Sequence, residues 1–150
     1  MSETRVDLDK LRQKVQYIRD SVRRLSEIRE GGEERFLGDE ILHAAATRYL
    51  QTGIEAMLDA AHHILAREGL GLPKTYRQAM ELLVRERIVP REQEAILQQL
   101  VKFRNRAVHL YDRIRAEELW SLMRDHLVDF EAFTGVLVRR YFDSGDREGC

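Results

Sequence analysis

Apolar residues recur every three or four positions along most of this chain, which is the spacing of a buried stripe on an α-helix. The first stripe lies in residues 5–30, where charged residues occupy the other faces. Its members are Leu8, Leu11, Val15, Ile18, Val22, Leu25 and Ile28. Gly31 and Gly32 follow and predict the end of this helix. The stripe is most simply core, and coiled-coil-like contact with a second chain is the alternative.

A second long helix is predicted to begin near Glu34 or Asp39 and to run to Glu68. Gly53 lies inside it, and glycine in a helix interior costs about 1 kcal/mol relative to alanine. We therefore expect another helix to approach closely at Gly53. The residues that terminate this helix are Gly69, Gly71 and Pro73.

Three more helices follow. Thr75 and Gln78 have the spacing of a capping box, which predicts the start of a short third helix. Pro90 suits the first turn of a fourth helix, and a last helix spans roughly residues 115–142. No segment shows sustained alternation of polar and apolar residues. The predicted fold is all-α: an antiparallel bundle of four long helices and one short helix, in one domain (1–150) with an ordered core of about 5–142 and a flexible tail, 143–150.

The composition of the chain indicates in which cellular compartment the protein acts. The 150 residues are 43% apolar and 34% charged, with a net charge of −1, which argues against bulk nucleic-acid binding. No apolar run approaches the length of a membrane span, and the N-terminus has no hydrophobic signal region. Cys150 is the single cysteine, so no intrachain disulfide can form. These features predict a cytoplasmic protein.

One basic segment departs from this balance. Residues 102–115 carry five basic residues and one acid, a local charge of +4. The basic residues are Lys102, Arg104, Arg106, Arg113 and Arg115. Such a segment in a near-neutral chain favours an anionic ligand. Arginine accounts for 21 of the 25 basic residues; its planar fork suits phosphate, although codon bias explains the excess equally well.

The same segment holds groups suited to RNA cleavage. His109 can transfer protons near neutral pH, and Arg104 can bind a phosphate in bidentate fashion. On one continuous helix these side chains would lie about 140° apart. Either the helix breaks near 107–114, or the site borrows residues from a second chain. Asn105 would share a face with His109 on a continuous helix; it could also be a helix C-cap.

Residues 104–111 read R-N-x-x-V-H-x-Y. This segment resembles the R-x4-H-x-Y motif of the HepT-like branch of the HEPN superfamily. The upstream blocks Arg48-Tyr49-Leu50-Gln51, Ile54-Glu55-Ala56, His63-Ile64-Leu65 and Pro73-Lys74-Thr75-Tyr76 resemble that family as well. The resemblance covers about residues 5–142. Lys102 is a departure, because many relatives carry a small residue there.

The resemblance implies a homodimeric toxin of a type VII toxin–antitoxin system, acting as a metal-independent endoribonuclease without a cofactor. Arg104 and His109 would form the catalytic pair in a cleft at the dimer interface, with Asn105 in support. The partner would be an MntA-like nucleotidyltransferase, which uses ATP to adenylylate Tyr111. tRNA is the implied substrate class, although the sequence itself does not choose tRNA over mRNA.

Several alternatives stay open. Lys102, Arg106, Arg113 and Arg115 either contact RNA or are simply solvated. The chain could instead be a non-catalytic helical module that docks a nucleotidyltransferase, or a purely structural dimer. Glu55, Asp59 and His63 share one helix face and could bind a metal, although ion pairs and hydrogen bonds are far commoner there.

Overall fold

The computed structural model of the protein describes residues 5–109 and 113–142, and all regular structure within these ranges is helical. The helices are α1 (Leu8–Glu30), α2 (Glu33–Leu37), α3 (Glu40–Arg67), α4 (Tyr76–Arg85), α5 (Glu94–Ala107) and α6 (Ala116–Tyr141). A 3₁₀ turn, Arg91–Gln93, precedes α5. The predicted all-α bundle is confirmed. None of these described helices is both long and apolar enough to cross a bilayer.

Helix α3 is the centre of the bundle and packs against α1, α4, α5 and α6. Its middle is buried on several faces, and the small residue Gly53 makes this packing possible. A Cβ atom at Gly53 would lie 3.0 Å from the Ser21 Cβ on α1 and 3.2 Å from the Phe130 Cε2 on α6. The expected close approach of another helix at Gly53 is therefore confirmed, and two helices meet there.

Helix α1 buries the stripe that the sequence predicted, which supports the assignment of these residues to the core. Leu11, Ile18 and Leu25 are fully buried within the bundle. Asp7 caps the helix, because its carboxylate accepts the Lys10 N–H at 3.1 Å. Its own N–H donates to the His63 Nε2 at 3.0 Å, which ties the start of α1 to α3. Burial also lowers the pKa of His63.

Two predicted boundaries change in detail. Residues 33–37 form the separate helix α2, and Asp39 then caps α3 by accepting the Ile41 N–H at 2.9 Å. Pro90 was expected to lie in the first turn of the fourth predicted helix, but it lies before α5. Its carbonyl accepts the Gln93 N–H at 3.0 Å, which closes the 3₁₀ turn and delays the start of α5 to Glu94.

The start of α4 is close to the predicted capping box. The Thr75 hydroxyl accepts the Gln78 N–H at 3.0 Å, as expected for the N-cap. The Gln78 side chain, however, accepts the Lys74 N–H at 2.7 Å. The reciprocal half of the box would use the Thr75 N–H instead. The cap therefore holds the residue before the helix as well as its first turn.

The C-terminal ends of α3 and α4 close in the same way. After α4, the Ile88 N–H donates to the Leu83 carbonyl at 2.9 Å, and Arg87 takes a left-handed φ of 60°. Gly69 occupies the equivalent position after α3, with φ of 68°. Glycine is usual at this position because a Cβ makes the left-handed conformation costly, by roughly 1–2 kcal/mol. Arg87 is therefore an unusual residue at its position.

Candidate active site at the end of helix α5

The predicted break in the motif helix is present. Helix α5 ends at Ala107, and Val108 is its C-cap, with its N–H bonded to the Arg104 carbonyl at 3.2 Å. The His109 N–H donates to the Arg106 carbonyl at 3.1 Å, and the His109 side chain is exposed. Arg104 and His109 are therefore not fixed at the separation that a continuous helix would impose.

Arg104 is held by three elements of the fold. Its Nε donates to the Glu55 Oε2 at 3.0 Å, and the Gln51 amide donates to the same oxygen at 3.2 Å. The guanidinium carbon lies 4.8 Å from the centre of the Tyr76 ring, within cation–π range. The Asn105 Oδ1 accepts a longer bond of 3.3 Å from Nη1. Contacts from α3, α4 and α5 thus give the guanidinium one preferred orientation.

Sequence reasoning missed this support. Glu55 entered it as one member of a possible metal-binding face and as part of a family block, and Tyr76 only as part of a family block; neither was linked to Arg104. The available signal was the i, i+4 pair of Gln51 and Glu55, since such a pair lies on one helix face. Pairing that face with Arg104 requires knowing that α3 packs against α5.

The supposed metal face does not converge on one point. Glu55 binds Arg104, the Asp59 carboxylate lies 3.3 Å from the Lys14 Nζ, and His63 accepts the Asp7 N–H. No group of three or more potential ligands lies together in residues 5–109 and 113–142. The three side chains instead serve as separate attachment points on α3.

The other basic residues of the motif have different surroundings. The Arg106 Nη1 lies 2.7 Å from the Glu118 Oε2, and its Nη2 donates to the Arg113 carbonyl at 3.4 Å. Arg106 therefore links α5 to the start of α6. Arg115 is the N-cap residue of α6, with a long 3.7 Å contact to Glu117. Lys102, Arg113 and Arg115 are exposed.

Asn105 and Tyr111 are the two remaining residues that were predicted to belong to the site. Asn105 is not the helix C-cap, because α5 continues to Ala107 and Val108 occupies the cap. Its side chain contacts Arg104 instead, which keeps it at the candidate site. Tyr111, the predicted site of adenylylation, lies outside the described residues.

Two known proteins are similar to this chain over most of its length. A curated relative, the mRNA nuclease HepT of Shewanella oneidensis, is 29% identical over 124 residues, which cover 83% of this chain and 92% of the relative. A solved structure of an S. oneidensis HEPN toxin, tri-AMPylated and in complex with an MNT antitoxin, has 29% identity and a TM-score of 0.80. The match covers 86% of this chain and 96% of that one.

A third similarity concerns the fold alone. YutE, a cytosolic protein of unknown function from Bacillus subtilis, has a TM-score of 0.80 at 22% identity, and the match covers 95% of both chains. The family model for HepT-like ribonucleases matches residues 18–137, which contain the whole Arg104 site and the motif. The chain therefore belongs to the HepT-like ribonuclease family.

Proposed function

We propose that this chain, acting as a single domain (1–150), is the toxin of a type VII toxin–antitoxin pair. It cleaves RNA as a metal-independent endoribonuclease, and an MntA-like nucleotidyltransferase neutralises it. Family membership supports the ribonuclease activity, and the S. oneidensis toxin bound to its antitoxin supports the pairing. We place the pair in the cytoplasm, where both RNA and the ATP required for adenylylation are found.

The observation that carries this proposal is the fixed guanidinium of Arg104 beside a helix end that is followed by an exposed histidine. Glu55 engages Nε, and Asn105 makes only a 3.3 Å contact to Nη1, so donor capacity is left for a phosphate. A guanidinium held in one orientation can stabilise the charge that develops on phosphorus oxygens during cleavage. The arrangement suits Arg104 to that role.

His109 supplies the proton chemistry. A base removes the proton of the ribose 2′-hydroxyl, whose oxygen attacks the adjacent phosphorus. An acid then protonates the departing 5′-oxygen, which leaves a 2′,3′-cyclic phosphate and a 5′-hydroxyl. One chain offers one motif histidine, whereas the reaction uses two proton-transfer groups. We therefore propose a symmetric homodimer in which both chains contribute Arg104 and His109 to one cleft.

Adenylylation of Tyr111 is the proposed off-switch. The transferase would join the AMP phosphorus of ATP to the tyrosine oxygen and release pyrophosphate. Tyr111 lies two positions after His109 in sequence, so the added group would bring bulk and negative charge next to the catalytic histidine. That charge would repel an RNA phosphate. The AMPylated state of the S. oneidensis toxin supports this part of the proposal.

The target within RNA is the finer part of the proposal. tRNA stays our prediction, and the relative named an mRNA nuclease makes mRNA the first competitor. The test uses protein freed of its partner and shown by intact mass to carry no AMP. Wild type, Arg104→Ala and His109→Ala are each incubated with total tRNA and with mRNA in EDTA.

Cleavage by wild type alone is the expected result, with unchanged helical content in both variants. Retained cleavage by either variant would refute the assigned catalytic pair. No cleavage by unmodified wild type, together with AMP transfer to Tyr111 by a neighbouring transferase, would favour the non-catalytic docking module instead.

A further inference from the structure

A second basic region lies away from the motif, between the α4–α5 connection and the C-terminal half of α6. It is a groove of about 720 Å³. Its apolar lining residues are Val84, Ile88, Val89, Pro90 and Val136. Five arginines also line it: Arg85, Arg87, Arg91, Arg139 and Arg140. All five are exposed, and its lining includes no acidic residue. We call this feature the arginine groove.

Among the residues that the structure describes, acids neutralise the charge of the arginine groove only in part. Arg85 lies 3.5 Å from Glu86, and Arg140 makes a long 3.9 Å contact with Glu68. Arg87, Arg91 and Arg139 form no ion pair with an acid in the described part of the chain. Like charges brought together without acids repel one another, so the arrangement lowers stability unless a ligand compensates for it.

The backbone conformation of Arg87 is a second observation that favours a ligand in the groove. Arg87 holds the left-handed position that ends α4, whereas Gly69 holds the same position at the end of α3. Glycine would satisfy the backbone after α4 more easily, because it has no Cβ. Non-glycine residues in this conformation cost stability and cluster at active sites and ligand-binding sites. At Arg87 the side chain adds a cation to the rim of the arginine groove.

We infer that the arginine groove binds the phosphate backbone of the RNA at a point distant from the bond that is cut. The groove is open and wide, and its exposed guanidinium groups offer the positive charge that attracts a phosphate backbone. This inference rests on the proposed ribonuclease function for the identity of the polyanion.

The groove and the candidate active site are too far apart for one phosphate. Arg91, at the groove, and Arg104, at the site, are separated by 13 positions along the 3₁₀ turn and α5. At the rise of an α-helix this is about 20 Å. Only an RNA with several phosphates can occupy both. Backbone contacts carry no sequence information, so the groove adds affinity and fixes the position of the substrate.

The experiment compares two charge-matched double variants, both in a His109→Ala background that leaves RNA intact. The groove variant is Arg87→Gly with Arg139→Gln. The control is Arg24→Gln with Arg124→Gln, which removes two exposed arginines that pair with acids on their own helices. Binding of fluorescent tRNA is measured by anisotropy across a salt series. Thermal unfolding checks the fold, and Arg87→Gly should not lower Tm because glycine accepts the left-handed conformation.

Release of counterions sets the expected size of the effect. Each lost phosphate contact should reduce the salt slope by about 0.7–0.9, which at 0.1 M salt is about a fivefold to eightfold loss of affinity. The groove variant should therefore bind about 25-fold to 60-fold more weakly than its parent if both arginines contact phosphate. The control should lose much less affinity.

Cleavage assays with His109 restored separate this inference from the proposed function. The groove changes should slow cleavage of long RNA at low concentration and leave cleavage of a dinucleotide unchanged. If wild type cleaves RNA but the groove variant binds like the control, the inference is overturned and the function stands. If the groove variant binds RNA more weakly but wild type cleaves nothing, the function fails and the groove stands. A groove variant that binds RNA like the control but loses the antitoxin would assign the groove to the protein partner.

Discussion

The two arginine clusters of this protein differ in what surrounds each guanidinium. At the end of α5, Arg104 lies 3.0 Å from Glu55 and Arg106 lies 2.7 Å from Glu118, and both acids are on other helices. In the arginine groove, Arg87 and Arg139 have no such acid among the described residues. Arg104 and Arg106 are thus fixed by tertiary contacts, whereas Arg87 and Arg139 present their charge to solvent.

This difference suits the two sets of arginines to two different functions, transition-state stabilisation and binding of a phosphate backbone. An arginine that stabilises a transition state must be oriented before the substrate arrives, because reorientation during the reaction costs energy. An arginine side chain carries about 2 kcal/mol of rotamer entropy, which Glu55 and Tyr76 remove in advance at Arg104. An arginine that attracts a phosphate backbone needs charge but no single orientation. The first kind should affect kcat, and the second should affect affinity.

The largest effect is expected when Arg104 is replaced by lysine, and the same replacement of Arg139 in the arginine groove serves as the comparison. Arg104→Lys keeps the charge but loses the planar fork and the Nε–H that Glu55 holds. We expect kcat to fall by roughly 10²–10³, as when one preorganised donor to a developing charge is lost. Arg139→Lys keeps the charge in the groove and should change neither kcat nor affinity substantially. Single-turnover cleavage of one RNA by both variants measures this, and equal effects would remove the proposed distinction.

Glu55→Gln tests the positioning role directly. Without the carboxylate, the Arg104 guanidinium should lose its fixed orientation, and we expect kcat to fall by about tenfold, or about 1.4 kcal/mol of transition-state stabilisation. RNA affinity should stay equal or rise, because a negative charge near the phosphate site has been removed. A merely structural role for Glu55 would not separate kcat from affinity in this way.

The matched control for Glu55→Gln is Asp59→Asn, one turn further along α3. Asp59 pairs with Lys14 on α1 rather than with the motif, and it is exposed. Its substitution should leave both kcat and affinity unchanged. A fall in kcat of similar size in both variants would show that loss of any acid on α3 disturbs the site.

The sequence predicted those parts of the molecule that depend on neighbouring residues. The stripe of α1 and the end of α5 after Ala107 are local, and so is the order of residues in the motif. The partner of Arg104 is not local, because Glu55 lies 49 positions earlier and meets it only when α3 packs against α5. The arginine groove is similar, since Arg87 and Arg139 come from segments about 50 positions apart in the chain. Periodicity describes one helix at a time and carries no information about such pairs.

The two left-handed helix ends offer a comparison in stability. Gly69→Ala should destabilise the fold by about 1–2 kcal/mol, because a Cβ is unfavourable at φ of 68° even though nothing lies within 4 Å of it. Arg87→Gly should be neutral or stabilising by up to about 1 kcal/mol, since the gain at left-handed φ is offset by the flexibility of glycine in the unfolded chain. Urea unfolding of both variants measures this. A clear loss of stability in Arg87→Gly would mean that its side chain serves the fold rather than a ligand.

The smallest expected effect concerns Arg106, which the sequence placed among the possible RNA contacts. Its side chain is 43% exposed and that of Glu118 is 34% exposed, so their ion pair should contribute less than about 1 kcal/mol. Because Arg106 already binds Glu118 and the Arg113 carbonyl, Arg106→Gln should cost stability and change the salt slope of RNA binding less than either groove arginine. A double-mutant cycle with Glu118→Gln, read by urea unfolding, isolates the pair. A slope change equal to that of Arg139→Gln, with no coupling to Glu118, would move Arg106 into the class of arginines that bind the backbone.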